Sequence, residues 1–276
     1  MSLEVAERAV RDGDLDGALR QLQEQVRKNP ATADLRVFLF QLLAVTGQWE
    51  RALTQLNVAA ELDAKTLAMA QMYREAIQCE RLRAGVFAGK NSPVVFGQPE
   101  EWLALLVESL LVGPSRADHA QELRDKAFAS APETSGTLDG TAFSWIADAD
   151  TRLGPVCEAV INGRYYWVPF SRLTQLDIEA PADLRDVVWM PAHFEFTNGG
   201  EVVGIIPTRY PGSELDADSH IRLARKTLWN ETRPGIFEGS GQRLFATDAG
   251  EFALMDVRSI TFNAEQAESD APAANG

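Results

Sequence analysis

The sequence predicts an α+β protein: an N-terminal all-α, TPR-like helical solenoid followed by a mostly antiparallel β domain with one or two short helices. Three observations carry that reading. The N-terminal part repeats itself at a spacing of 34 residues, with Gly13 answered by Gly47, Ala18 by Ala52, Leu19 by Leu53 and Leu22 by Leu56. Farther on the periodicity changes. Apolar or β-branched runs at 156–161 and 164–170 flank Asn162-Gly163, a pair that tolerates the positive φ angles of a type I′ hairpin turn. Between the two regimes lies the polar stretch 133–140, ETSGTLDG. The boundary is placed there, giving a helical domain 1–135, an α+β domain 136–262 and an acidic, Ala-rich tail 263–276 expected to be disordered.

Taken in order, DGDLDGAL at 12–19 aligns with TGQWERAL at 46–53, and the 34-residue period is that of tetratricopeptide helix–turn–helix units. Gly ends each first helix in a left-handed conformation, and the small Ala lets the second helix cross closely. Asn29-Pro30 stops the first unit. In 35–45 the stripe Leu35, Phe38, Leu39, Leu42, Leu43 has helical spacing, while Val37 and Phe40 lie off it. A helix apolar on more than one face is buried between neighbours or lines a groove. Contact with the next repeat is the plainer explanation; a groove for a partner's helix is the functional one. A long helix follows over 66–83, then a Gly/Pro-rich break containing Val94, Val95 and Phe96 that is expected to be pinned against a core. A helix with Trp102, Leu103, Leu106 and Leu110 inward comes next, and Ser115-x-x-Asp118 suggests a capping box before the last helix of this half.

In the second half, 143–147 reads as the first strand and 154–213 supplies about five more. The turns there are Asn162-Gly163 and Asn198-Gly199-Gly200. Residues 214–227 read as a short helix, 243–255 as a third hairpin around Asp248-Ala249-Gly250, and 258–262 as a last strand. Along 164–169 side chains alternate, so Tyr165 and Trp167 face one way, Tyr166 and Val168 the other. One of those sets must be covered by a helix, by the N-terminal domain or by a partner.

The composition excludes several classes. A formal net charge of −14 argues against nucleic acid or an anionic membrane surface as partner. No stretch approaches the length of a membrane span, and residues 1–11 read as an amphipathic segment rather than a signal peptide, so a cytoplasmic protein without membrane insertion is expected. Cys79 and Cys157 are isolated, which leaves neither a disulfide framework nor a zinc knuckle. Beyond residue 135 every cation except Lys226 is Arg, the residue whose planar fork suits structural or interface pairs. Asp216-x-Asp218-x-His220 lacks a third metal ligand at standard spacing, and Cys157 lies mid-strand among apolar residues, where an inert thiol is expected. The carboxylate pairs Asp148/Asp150 and Asp183/Asp186 have no evident cleft, and Gly239-Ser240-Gly241 follows no phosphate-loop pattern. No catalytic set, metal site or cofactor site emerges.

The segments GPVCEAVINGRYYWVPF, APADLRDVVWMPA, IPTRYPGSE, LARKTLWNE and GQRLFATDAGEFALMDVRSITF closely resemble the ImpE/SciE family, also called the TagJ family. These are accessory proteins of bacterial type VI secretion systems. The resemblance implies a non-catalytic cytoplasmic protein that binds the small contractile-sheath subunit TssB. Through TssB it would be linked to the sheath and to sheath recycling by the AAA+ ATPase ClpV. The matched pattern residues are Trp167, Pro169, Leu184, Arg185, Asp186, Trp189, Arg209, Tyr210, Ser213, Arg225, Trp229, Gln242 and Arg243. With the two off-stripe residues of the solenoid, the candidate partner-binding set is Val37, Phe40, Trp167, Arg185, Trp189, Arg209, Tyr210, Arg225, Trp229 and Arg243. Two other readings stand beside it: a general TPR adaptor whose β domain binds another ligand, and a hydrolase using Cys157 or the acidic loop.

Overall fold

The two glycines that mark the repeat end their helices in the same way. In the computed structural model, which describes residues 3–98 and 100–263, α1 (Leu3–Arg11) pairs with α2 (Leu15–Lys28) and α3 (Ala33–Val45) with α4 (Trp49–Leu62). Past α1 the amides of Gly13 and Asp14 donate to the carbonyls of Val10 and Ala9 at 3.1 and 2.8 Å. Past α3 the amides of Gly47 and Gln48 repeat the pattern on Ala44 and Leu43, at 3.1 and 2.9 Å. This closure of the last carbonyls requires a left-handed residue, and Gly13 (φ 81°) and Gly47 (φ 66°) supply it without strain. Ala18, Leu22, Ala52 and Leu56 are all fully buried, as the repeat predicts.

The helical half continues through α5 (Leu67–Phe87), α6 (Glu101–Val112) and α7 (Ala117–Ser130). The capping box expected at Ser115 is not formed. Arg116 is the N-cap of α7, without a side-chain cap, and the Ser115 hydroxyl donates back to the Val112 carbonyl at 3.2 Å. A capping box forms instead at Asp183 and Asp186, where it closes the 3-10 turn Leu184–Val187.

Fourteen strands follow the chain order β1 (Val94–Val95), β2 (Gly136–Leu138), β3 (Thr141–Phe143), β4 (Ile146–Asp148), β5 (Val156–Ile161), β6 (Arg164–Pro169), β7 (Leu173–Ile178), β8 (Trp189–Phe196), β9 (Glu201–Pro207), β10 (Thr227–Arg233), β11 (Ile236–Gly241), β12 (Leu244–Thr247), β13 (Gly250–Ala253) and β14 (Ser259–Phe262). A nine-stranded sheet has the order β1-β6-β5-β9-β8-β7-β14-β2-β3, flanked by the ribbon β10-β11 and the small sheet β13-β12-β4. Every pairing is antiparallel except that of β1 with β6, so the mostly antiparallel expectation holds. The Asn162-Gly163 turn has φ values of 49° and 72°, the positive pair of a type I′ hairpin.

All six residues of β5 are buried because the sheet is covered on both faces. Val156, Val160, Tyr165, Trp167, Trp189 and Ile205 pack with the helices in one core. Cys157, Ala159, Ile161, Val168, Met190 and Phe194 face a second core with Phe170, Phe245 and Phe262. The predicted alternation of Tyr165 and Trp167 against Val168 is therefore realised, and the helical half is the cover. Val94-Val95 adds as the parallel edge strand, and Phe96 stacks on Phe196 with ring centroids 4.1 Å apart.

Three expectations are corrected. The polar stretch 133–140 contains β2, whose Leu138 pairs with Ile260 of β14; a partner this distant in sequence leaves no local pattern. The single strand read over 143–147 is two strands, β3 and β4, lying in different sheets. The helix read over 214–227 is only a 3-10 turn, Ser213–Leu215, and one α turn, α8 (Ser219–Arg222). Thr227 instead begins β10, whose mostly exposed residues lack the apolar alternation of a buried strand. The tail expected to be disordered lies outside the described residues from position 264 onward.

Ala52→Leu should overpack the α3–α4 crossing and lower unfolding stability by about 1–3 kcal/mol. Urea denaturation reads this directly, and a midpoint unchanged from wild type would show that Ala52 is not at a close crossing.

Candidate partner-binding surface

A glutamate in the middle of an apolar strand is costly to bury unless it is paired. Glu158 of β5 points toward the helices, fully buried, and two guanidiniums meet it there. Arg83 of α5 donates to both of its oxygens, Nε to Oε1 at 2.7 Å and Nη2 to Oε2 at 2.9 Å. Arg243 ion-pairs with Glu158 and also with Asp148 of β4. The Tyr165 hydroxyl donates to Glu158 and accepts from Trp167 Nε1 at 2.7 Å. Burial alone would raise the Glu158 carboxyl; Arg83 and Arg243 outweigh it and hold the group at about 2.

The surrounding groups extend this network across the seam between helices and sheet. Arg83 also donates to the Arg209 carbonyl at 2.7 Å. Arg209 reaches back to the Val45 carbonyl at 2.8 Å, at the C-terminal end of α3 where the helix dipole favours a cation. Trp189 Nε1 donates to Glu80 of α5 at 2.9 Å. Burial raises the Glu80 carboxyl, while Arg83 pulls it down. Tyr210 donates to Asp148 at 3.1 Å and accepts from the Leu244 amide at 3.0 Å. Arg243 completes its own set by donating Nε to the Pro207 carbonyl at 2.9 Å.

The structure therefore places the candidate residues unequally. Phe40, Trp167, Trp189, Arg209, Tyr210 and Arg243 are buried and face their own chain rather than solvent. Phe40 lies 5.7 Å from the ring of Tyr73, itself 5.5 Å from Trp189. The groove that Val37 and Phe40 suggested is largely filled in cis, by the 184–187 turn against α3. Arg185 is half-buried over the Tyr73 ring and paired with Asp183. Exposed Arg225 donates to the Val10 and Arg11 carbonyls, at 3.0 and 2.8 Å, capping α1. Trp229 leans on Tyr210 with centroids 5.4 Å apart. Val37 is half-buried and lines an open cleft.

That cleft, about 500 Å³, lies between α1, α3 and the start of the 184–187 turn. Leu3, Val10, Val37, Phe38 and Leu184 give it an apolar floor; Glu7, Asp34 and Asp183 outnumber Arg11 at the rim. A second apolar cleft of about 370 Å³ sits beside the edge strand β4, with Phe128 and Trp145 partly exposed on it. Sequence reasoning missed Arg83, Glu80 and Glu158. The available signal was a charge inside the apolar run VCEAVI.

The features weighed for catalysis are engaged structurally. Burial pushes the thiols of Cys79 and Cys157 up to about 12, well away from thiolate chemistry at neutral pH. Asp218 pairs with Lys226 at 2.5 Å and accepts from the His220 amide at 2.8 Å. Asp150 is engaged by Arg152 and by the Gly239 amide, at 2.6 and 2.9 Å. Among the described residues no group of three or more His, Cys, Asp or Glu is arranged to hold a metal ion, and no helix is long and apolar enough to cross a membrane.

The ImpE protein family model matches residues 140–261, and a tetratricopeptide repeat model matches residues 9–77. The chain is 52% identical over 259 residues to the type VI secretion system accessory component TagJ of Pseudomonas aeruginosa, an alignment covering 94% of this chain and 91% of that protein. The crystal structure of protein VPA1032 from Vibrio parahaemolyticus superposes with a TM-score of 0.86 at 27% identity, covering 95% of this chain and 98% of that one.

Glu158→Gln leaves two buried guanidiniums short of one negative charge and should cost about 3–5 kcal/mol in urea unfolding at pH 7. The folded Glu158 carboxyl lies below its value in the unfolded chain. Its contribution is therefore complete above about pH 4.3 and is lost as pH falls through about 2. Wild-type stability should decline across that window, and the variant should decline less there. Burial pushes Asp148 up to about 6 despite Arg243, so its titration lies above the window.

Proposed function

This chain belongs to the ImpE family, and from that membership and the geometry of the seam we propose that it is a non-catalytic adaptor of a type VI secretion system. Its partner in this reading is a TssB-like small sheath subunit, captured through a short amphipathic helix. That contact would link it indirectly to a ClpV-like ATPase and to sheath assembly or recycling in the cytoplasm.

The observation that carries the proposal is the cleft between α1 and α3. The chain's own 184–187 turn packs on α3, and Arg209 reaches the Val45 carbonyl at the end of that helix. What remains open is apolar on its floor, acidic at its rim and lined by Val37. Helix-in-groove capture needs apolar anchors at i, i+3 or i+4 and i+7. An acidic rim on a chain of net charge −14 favours a partner helix bearing Lys or Arg. The second reading, an adaptor whose β domain binds another ligand, draws on the apolar cleft at Phe128 and Trp145.

Calorimetric titration with peptides tiling the sheath subunit tests this. One segment should bind at about micromolar affinity, because it must order itself on binding and offers few hot spots. Moderate salt should slow its association more than its dissociation. Val37→Asp should weaken binding about tenfold or more, with the melting temperature close to wild type since Val37 is only half-buried. No binding of any segment at 100 micromolar protein, a detection floor of roughly −5.5 kcal/mol, sinks the sheath reading. Binding insensitive to Val37→Asp moves the contact to another surface.

A further inference from the structure

Where the α6–α7 hairpin meets the β10–β11 ribbon, a cleft of about 240 Å³ is lined by three arginines: Arg124, Arg152 and Arg233. Two of them are engaged. Arg152 pairs with Asp150 at 2.6 Å and with Glu238 at 3.1 Å, and Arg233 with Asp118 at 2.6 Å. Arg124 differs. Its side chain sits on α7 with the residue only 7% exposed, yet Nε and Nη1 find no hydrogen-bond acceptor. Among the described residues it forms none of the ion pairs. A buried guanidinium with unsatisfied donors is costly, and an ion or water from outside the chain is one way such a group is satisfied. Its burial lowers its proton affinity, and Asp150 and Glu238 offset that only in part.

We propose that the cleft at Arg124 binds a small oxyanion, the carboxylate or phosphoryl end of a small molecule. Size and charge define this class. The cavity, about 240 Å³, admits a phosphate- or acetate-sized group together with a few further atoms of a small molecule, and is far too small for a helix. Asp150 and Glu238 are held by Arg152, and Asp118 by Arg233, so none of these carboxylates hydrogen-bonds Arg124, and an oxyanion would supply the acceptor its guanidinium lacks. An arginine fork suits both oxyanions. A bound anion would join α7 to the β10–β11 ribbon, whose outer strand is otherwise mostly exposed. This inference is independent of the sheath reading.

The test uses the full chain with inorganic phosphate and with acetate, against chloride at equal ionic strength. At saturation phosphate or acetate should raise the melting temperature by about 2–4 °C beyond chloride. At ten times its dissociation constant it should slow hydrogen exchange across 227–241 by about tenfold. Whichever of the two acts identifies the source. Arg124→Met should abolish both effects and, with the unpartnered guanidinium gone, should melt no lower than wild type without anion; Arg124→Lys should retain part of the shift. The proposal is overturned if neither anion exceeds chloride in wild type. It is equally overturned if Arg124→Met keeps the shift, or if that variant melts lower without anion, because Arg124 would then have a partner within the chain.

Discussion

One carboxylate between two guanidiniums holds the helical and β halves in a single arrangement. Glu158 stands on an interior strand of the sheet, Arg83 reaches it from α5 and Arg243 from the turn after β11, and each of the three is buried. None of these ions is stable there alone, since desolvation opposes each of them. The consequence is directional. Apolar faces of this size could slide against one another, but a fork that must meet two oxygens at hydrogen-bond distance fixes both rotation and translation. Tyr165, Trp167, Asp148 and Tyr210 then satisfy the remaining donors and acceptors, so a polar cluster inside the core becomes a locking device.

This lock explains why pattern residues that look like a binding surface are mostly internal. Aromatic and Arg residues are the usual hot spots of interfaces between proteins. Here they form an interface as well, but one between two parts of the same chain. The sequence argument that one aromatic face must be covered was sound; the cover is α5 and its neighbours. The distinction between an inner and an outer interface depends on how the halves dock, and no local pattern encodes docking.

What was legible follows the range of the interactions involved. Helix ends at Gly13 and Gly47 and the hairpins across Asn162-Gly163 and Asn198-Gly199 rest on contacts within a few residues, and all are readable in the sequence. The strand β2, paired with β14, and the ribbon β10-β11, with its polar outer strand, rest on distant or solvent-facing contacts and were missed. Of the candidate surface, Val37 was legible as a residue off the main apolar stripe. Glu158 was passed over because one charge within VCEAVI is weak evidence until its two partners, far apart in sequence, are known.

The repeat-ending glycines also act as a gauge. Side chains at Gly13 and Gly47 would strike Ser219 and Glu214, at 2.9 and 2.5 Å, so both helix ends press on one short loop of the β half. That loop measures the pitch from the first repeat to the second. Solenoids ordinarily gain or lose units without penalty at their ends, because each unit touches only its neighbours. Here an inserted or deleted unit would present the loop with the wrong spacing. The solenoid has become a part of fixed length, and variation in such a chain is confined to the faces that the loop does not read.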